Sequence, residues 1–235
     1  MKLIFVRHGD PDYINDYLTE KGFREAQLLA DRLIKLTVRD FYCSPLGRAR
    51  ATAKVTLDRL HREAVVYDWL QEFPGIIIDE VTNEPTIPWD FLPADWTNRP
   101  KLYDKEEWLK DPIMMTGDVA EVYHNMTSNF DLLLEQYGYH RDGNLYRCEK
   151  GNQDTIVFFC HLGSEFALLS HLLGISAPLL WQGFFVAPTS VTTLVTEECV
   201  KGEVYFRCQA LGDTSHLYQG NESISYSGFF QETYD

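Results

Sequence analysis

The sequence predicts an α/β protein, a three-layer α/β/α sandwich with a mostly parallel central sheet. Two observations carry this. Short runs of β-branched and aromatic residues, Leu3-Ile4-Phe5-Val6 near the start and Ile156-Val157-Phe158-Phe159-Cys160 late in the chain, read as buried strands. Around them, segments with apolar residues at helical spacing alternate with further short strands, the order that builds a parallel sheet covered by helices. Each of the two runs ends in a histidine, His8 and His161. Ligands of open parallel sheets bind at the carboxyl ends of strands, so both histidines are expected to face one crevice.

Residues 2–6 form the first expected strand. A helix is expected over 19–36, with Phe23, Ala26, Ala30 and Leu33 on one face. Residues 40–43 make a second strand, and Ser44-Pro45 then offers an N-cap and an N1 proline for a helix reaching about residue 61. Residues 65–70 read as a third strand. From Phe73 to Lys110 the prolines 74, 85, 88, 93 and 100 break regular structure, while Trp89, Phe91, Trp96 and Trp108 crowd in with several acidic residues. Long irregular segments inside a compact domain tend to be lids or disordered insertions, and the aromatic content here argues for order. Residues 73–117 are therefore expected to be an insertion that caps the pocket, although the tryptophans equally suit an extension of the core. Next comes a helix over 118–137, with Asp118-x-x-Glu121 as a capping box, Val122, Met126, Phe130, Leu133 and Tyr137 as its apolar stripe, and Gly138 as its stop. Residues 139–150, centred on Asp142-Gly143, suggest a hairpin. The helix after His161 runs to Leu173 with Gly174 behind it, and residues 191–196 and 203–209 close the sheet. The whole, 1–235, is expected to be a single domain.

Composition excludes several classes. A net charge of −14 lacks the basic footprint that nucleic-acid binding needs. No run of eighteen apolar residues suggests a membrane span, and the N-terminus opens directly on a strand, so a cytoplasmic protein is expected. The five cysteines are odd in number and lack Cys-x-x-Cys spacing, which indicates neither a disulfide framework nor a zinc site. Against this acidic background, His8, His161, Arg7 and Arg48 around one pocket ask for an anion. Arg48 is doubly suited, because it falls in the first turn of a helix whose exposed N–H groups favour negative charge.

The ordered set Arg7-His8-Gly9, Ser44-Pro45-Leu46-x-Arg48-Ala49-x-x-Thr52-Ala53, Leu70-x-Glu72 and His161 resembles the histidine phosphatase superfamily in its phosphoglycerate mutase-like branch. Leu18-Thr19-x-x-Gly22 and Gly212-Asp213-Thr214-Ser215-His216-Leu217 resemble it too. The resemblance implies the phosphoglycerate mutase-like version of the sandwich and a phosphatase that hydrolyses a phosphate monoester of a small metabolite without metal or cofactor. It assigns His8 as the nucleophile that becomes a phosphohistidine, Glu72 as proton donor, His161 as a donor to the transferring phosphoryl group, and Arg7 and Arg48 as its grips. Asp10 and Asp12, directly after His8, compete with Glu72 for the acid's role. His216 and Thr52 are expected in supporting and packing roles, and His61, His124, His140 and His171 in structural ones.

Departures from the pattern narrow the reading. Leu162-Gly163 stands where many relatives carry Gly-Gly, and Asp10 where a glutamate is common. The Trp-Asn element of the mutases has no aligned equivalent, though Asn15 lies near enough to hold the substrate in a related way. The Arg-Arg pair and lysine that hold a phosphoglycerate in true mutases find no counterpart between Glu72 and Asp154. This favours hydrolysis over a cofactor-dependent phosphoglycerate mutase, and an intact nucleophile and acid argue against a silent phosphate-binding module.

Overall fold

The structure is a computed structural model that describes residues 1–229; the last residues of the expected domain, 230–235, lie outside the described residues. Its centre is an eight-stranded sheet built from β1 (Lys2–Arg7), β4 (Asp40–Cys43), β5 (Val65–Val66), β8 (His140–Asp142), β9 (Leu145–Arg147), β10 (Thr155–Cys160), β11 (Val191–Val200) and β12 (Glu203–Asp213), in the order β5-β4-β10-β1-β11-β12-β9-β8. Two two-residue ladders stand apart, β2 (Pro11–Asp12) with β3 (Tyr17–Leu18), and β6 (Ile77–Ile78) with β7 (Pro85–Thr86). β5, β4, β10 and β1 run parallel. From β11 onward the pairing is antiparallel, so the sheet is mixed and not mostly parallel as expected: three of its pairings are parallel and four antiparallel, and β11 with β12 and β8 with β9 are joined by tight turns, which only antiparallel neighbours allow. The parallel half is the one that carries the two histidine strand ends.

Alternation along β1 and β10 sends side chains to both faces. Leu3, Phe5, Ile156 and Phe158 join one apolar cluster with α4 (Val119–Glu135), α5 (Leu162–Leu173) and α6 (Ala177–Gly183). Ile4, Val6, Val157 and Phe159 join a second with α1 (Glu20–Leu33) and α2 (Gly47–Leu60). A short α3 (Pro93–Trp96) lies in the expected insertion and α7 (Ser215–Gln219) packs on α1. The three expected layers are thus present. Among the described residues no helix is long and apolar enough to cross a membrane.

Several local expectations hold. The helix expected over 19–36 is present as Glu20–Leu33, with Thr19 as its cap, the hydroxyl accepting from Gly22 N. Asp142 and Leu145 face each other across a two-residue turn with Gly143 at φ +58°. Gly138 and Gly174 end their helices in the left-handed region. Three expectations need correction. Ser44 and Pro45 do not open α2: the N-cap is Leu46, and the Ser44 hydroxyl is spent on His161. The third strand stops at Val66, because Tyr67 turns to stack on Tyr42 and a 3₁₀ turn, Asp68–Leu70, follows. The box expected at 118–121 does not form, since Asp118 accepts instead from Ile76 N of the insertion at 2.8 Å.

The 73–117 segment is ordered by its own burial. Leu102, Trp108, Ile113 and Met114 are inside the core, with Trp108 edge-on to Tyr123 and Trp181. Trp89 reaches in the other direction, toward the strand ends. At the centre of the core Phe158 stacks on Phe5 at 5.0 Å and on Tyr42 at 5.3 Å, and touches Phe130 at 5.7 Å. Phe158→Ala is expected to lower the free energy of unfolding by about 3–5 kcal/mol, read from urea denaturation, because these rings cannot collapse onto the hole.

Candidate active site

The in-register pairing Arg7↔Cys160 between the parallel strands β1 and β10 makes His8 and His161 neighbours. His8 N–H bonds to Cys160 O at 3.0 Å, and the two imidazole centroids lie 5.1 Å apart. β4, on the other side of β10, delivers Ser44, whose hydroxyl lies 2.7 Å from His161 Nε2. His8 and His161 are 1% and 0% exposed.

His8 Nδ1 lies 2.8 Å from Gly9 O, a carbonyl that can only accept, so Nδ1 carries the proton. Nε2 is then an unprotonated nitrogen, buried and without a partner. The Gly9 peptide is itself fixed: its N–H donates to Thr52 Oγ1, which donates to Arg48 O. Thr52, expected only to pack, therefore braces the backbone that follows His8. A methyl at Gly9 would lie 2.8 Å from Gly22 O, which explains why both glycines occur where α1 presses against the His8 loop. Burial, then the Arg7 cation, hold His8 well below the usual imidazole range. His161 is held down likewise by burial and by the Arg48 and Arg7 cations.

Arg7 is 2% exposed and fully committed in orientation: Nη1 donates to Val186 O at 2.7 Å and Nη2 to Ser227 O at 2.8 Å, while Nε has no partner. Phe185 lies under the guanidinium at 5.6 Å. Arg48, in the first turn of α2, pairs with Asp16 at 2.7 Å and has the Tyr13 ring 5.5 Å from its guanidinium. Asp16 also accepts from Gly47 N at 2.6 Å.

Glu72 follows the 3₁₀ turn and sits on the amino end of α5. Its Oε1 accepts from Gly163 N at 2.9 Å, from Ser164 N at 3.3 Å and from Phe73 N at 3.1 Å. A helix amino terminus favours the carboxylate, yet burial outweighs it and the Glu72 carboxyl is pushed up from its ordinary value. The rival acids differ. Asp10 accepts from Ser225, Ser227 and Thr19, and hydrogen bonds hold it low against the cost of burial. Asp12 is held low by Asn15.

Five of the six expected site residues, Arg7, His8, Arg48, Glu72 and His161, converge on the strand ends. The sixth does not join them. Asn15 is exposed, and its Nδ2 donates to Asp12 at 2.7 Å, because Asp12 is the nearer acceptor within the same turn. That turn offers Tyr13 and Asp16 to Arg48 instead. His216 has the supporting place expected of it, 3.2 Å from Thr189 Oγ1, whose N–H bonds to the carbonyls of Arg7 and His8.

Sequence reasoning missed Ser44, Trp89, the Ser225 and Ser227 contacts and Glu165. Glu165 had a signal, an acidic residue in an otherwise apolar helix. It is 0% exposed on the first turn of α5, and neither carboxyl oxygen has a partner.

The fold and the site together define an α/β/α protein built around a cationic, histidine-lined anion pocket. A sequence model of the histidine phosphatase superfamily, branch 1, matches residues 3–138, and the chain belongs to that superfamily. A 2,3-bisphosphoglycerate-dependent phosphoglycerate mutase of Thermoplasma acidophilum is 35% identical over 72 residues, covering 26% of this chain and 36% of the mutase, so the chain spans little more than a third of that relative. Phosphoserine phosphatase 1 of Hydrogenobacter thermophilus is 24% identical over 196 residues, 77% of this chain and 81% of that one. Phosphoserine phosphatase of Entamoeba histolytica shares the fold: a mutant in complex with phosphoserine aligns at a TM-score of 0.61 and 22% identity over 92% of this chain and 98% of its own. Its complex with 3-phosphoglyceric acid aligns at 0.58 and 21% over the same shares.

Two opposite pH dependences of stability follow. The buried histidines stay neutral when folded but protonate near pH 6.5 when unfolded, so their contribution falls as pH drops below 6.5. Burial pushes Glu165 up to about 7 from 4.5, so its contribution is full below 4.5 and is lost as pH rises through 7. Glu165→Gln removes only the second effect. Urea unfolding at pH 5 and pH 8 is expected to show the variant gaining roughly 2–3 kcal/mol relative to wild type between those values.

Proposed function

We propose that the protein hydrolyses phosphate monoesters of small metabolites through a phosphohistidine on His8, with no metal required. The observation that carries this reading is His8 itself: a neutral imidazole whose Nδ1–H is bound to Gly9 O and whose unprotonated Nε2 lies buried among two arginines and a second histidine. A phosphate dianion in this pocket is attracted by Arg7 and Arg48, and bidentate guanidinium contacts spread its charge in the transition state. The Nε2 lone pair attacks phosphorus as the ester P–O bond breaks, and Glu72 gives its proton to the departing oxygen. Water then attacks the phosphohistidine, passing a proton to the Glu72 carboxylate. Phosphate leaves with the bonding pair returned to Nε2, and both groups regain their starting state.

Two further features support these roles. Ser44 fixes His161 through Nε2, which leaves Nδ1 of His161 without a partner and available to a phosphoryl oxygen. Glu72 alone of the candidate acids is raised, and a donor needs its proton before the reaction begins. Hydrolysis is favoured over mutase chemistry by the absence of a counterpart, between Glu72 and Asp154, to the basic residues of the mutases. A cytoplasmic setting belongs to the same reading.

The test is release of inorganic phosphate from a panel of phosphomonoesters in EDTA. His8→Ala is expected to lose about 10³-fold or more in kcat, and acid quench of the wild type during turnover is expected to trap an acid-labile, base-stable phosphoenzyme. Glu72→Gln is expected to lose about 10²–10⁴-fold on alkyl esters and much less on p-nitrophenyl phosphate, whose leaving group needs no proton. Conversion of 3-phosphoglycerate to 2-phosphoglycerate without phosphate release would replace the phosphatase reading with a mutase.

A further inference from the structure

The leaving-group side of the pocket carries information about what is hydrolysed. A methyl on Gly163 would lie 2.7 Å from Glu72 Oε1 and 2.9 Å from Cζ3 of Trp89, so the indole edge and the carboxyl both crowd one point at the amino end of α5. Trp89 is held there from several directions. Gln182 Nε2 donates to its carbonyl at 2.7 Å, and its ring packs on Trp181 at 5.4 Å and Phe73 at 6.4 Å. The alcohol that departs past Glu72 therefore leaves alongside an indole.

Among the described residues the same region lacks a spare cation. The segment 73–117 contains nine acidic and four basic side chains. Each of the four is engaged internally: Arg99 with Glu80 and Asp111, Lys101 with Lys110 O, Lys105 with Glu106, and Lys110 with Glu107. On the tail side, Lys21 and Arg24 pair with Glu222. Arg7 and Arg48 belong to the phosphoryl group. A second anion on the substrate, such as the carboxylate of phosphoserine or 3-phosphoglycerate, would enter an acidic, aromatic surrounding and lose water without gaining a partner.

From this juxtaposition of indole, proton donor and self-paired charges we infer that the preferred substrate is a phosphomonoester whose leaving group is an uncharged ring, stacked on Trp89. This rests on the phosphatase reading above. A ring gains dispersion and burial against the indole, and needs no countercharge.

The experiment compares four alkyl esters with the wild-type protein: adenosine 5′-monophosphate, 2-phenylethyl phosphate, phosphoserine and 3-phosphoglycerate. The two ring esters are expected to exceed the two carboxylate esters in kcat/KM by about tenfold or more, the discrimination one well-placed stacking contact provides. Trp89→Ala is expected to cut turnover of the ring esters by about tenfold, Trp89→Phe to retain it within about threefold, and inhibition by inorganic phosphate to be the same in both, since neither touches the phosphoryl pocket. Equal or better turnover of a carboxylate ester by the wild type overturns the inference and leaves the phosphatase reading intact. So does a Trp89→Ala loss shared equally by all four esters. Turnover of none of these or of the wider panel removes the phosphatase reading and the inference together. The wild-type comparison decides the matter even where a variant fails to fold.

Discussion

The in-register parallel pairing of β1 with β10 is the constraint on which everything else in the site depends. It puts His8 and His161 at the same level of the sheet, one strand apart, and the bond from His8 N–H to Cys160 O locks that level. Adjacent strands lie about 4.8 Å apart, so two residues leaving them together have side chains in contact without further design. β4 adds Ser44 by the same logic on the far side of β10, and the helix that follows brings Arg48. A slip of one residue in either strand would turn a histidine to the opposite face of the sheet. The register is protected by the core, since the same slip would exchange Phe5 and Phe158 for Ile4 and Val157 between two differently shaped apolar clusters.

The proposed phosphate site needs positive charge in a place that also excludes water, and different groups meet the two demands. The permanent charge is Arg7 and Arg48, which cannot discharge. Their desolvation is offset by the carbonyls of Val186 and Ser227 and by Asp16, partners that leave other N–H groups free. The histidines are kept neutral by the same burial and by those cations, which is what a nucleophile requires. In the proposed reaction one field thus attracts the substrate and keeps unprotonated the nitrogen that attacks it. Because Ser225 and Ser227 also hold Asp10 at the foot of the His8 loop, the chain's closing segment is part of this electrostatic arrangement rather than an appendage.

What was legible in the sequence is what depends on neighbours along the chain. Strands β1 and β10, the helices flanking them and the turn at Asp142-Gly143 are local patterns, and a histidine at a strand end needs only the sheet to find its place. What was not legible depends on partners distant in sequence. Ser44 looks like an N-cap, but His161, more than a hundred residues on, takes its hydroxyl. Asp118 looks like half of a capping box, but the insertion's Ile76 N–H competes for it. Asn15 failed for the opposite reason, since Asp12, three residues away, binds its amide first. Glu165 gave only a weak signal, an acidic residue among mostly apolar ones, and periodicity alone does not tell that it points inward.

The residues proposed to carry the chemistry and the residue proposed to meet the leaving group come from different kinds of structure. Arg7, His8 and His161 stand at or directly after the ends of paired central strands, and Arg48 stands in the first turn of a helix packed beneath them; any shift in these elements would disturb the core. Trp89 comes from a long irregular segment whose basic side chains are engaged within itself and whose anchors, Trp108 and Met114, are buried far from its tip in sequence. Such a segment can change its tip without unpairing a charge or opening the core. On the proposed roles, selectivity for the departing group is free to vary while the phosphoryl pocket stays fixed, a physical basis on which one fold can serve many esters. Glu72 is the point where the two meet: its carboxyl is fixed by the amide groups of α5, and its surroundings are completed by the insertion's indole.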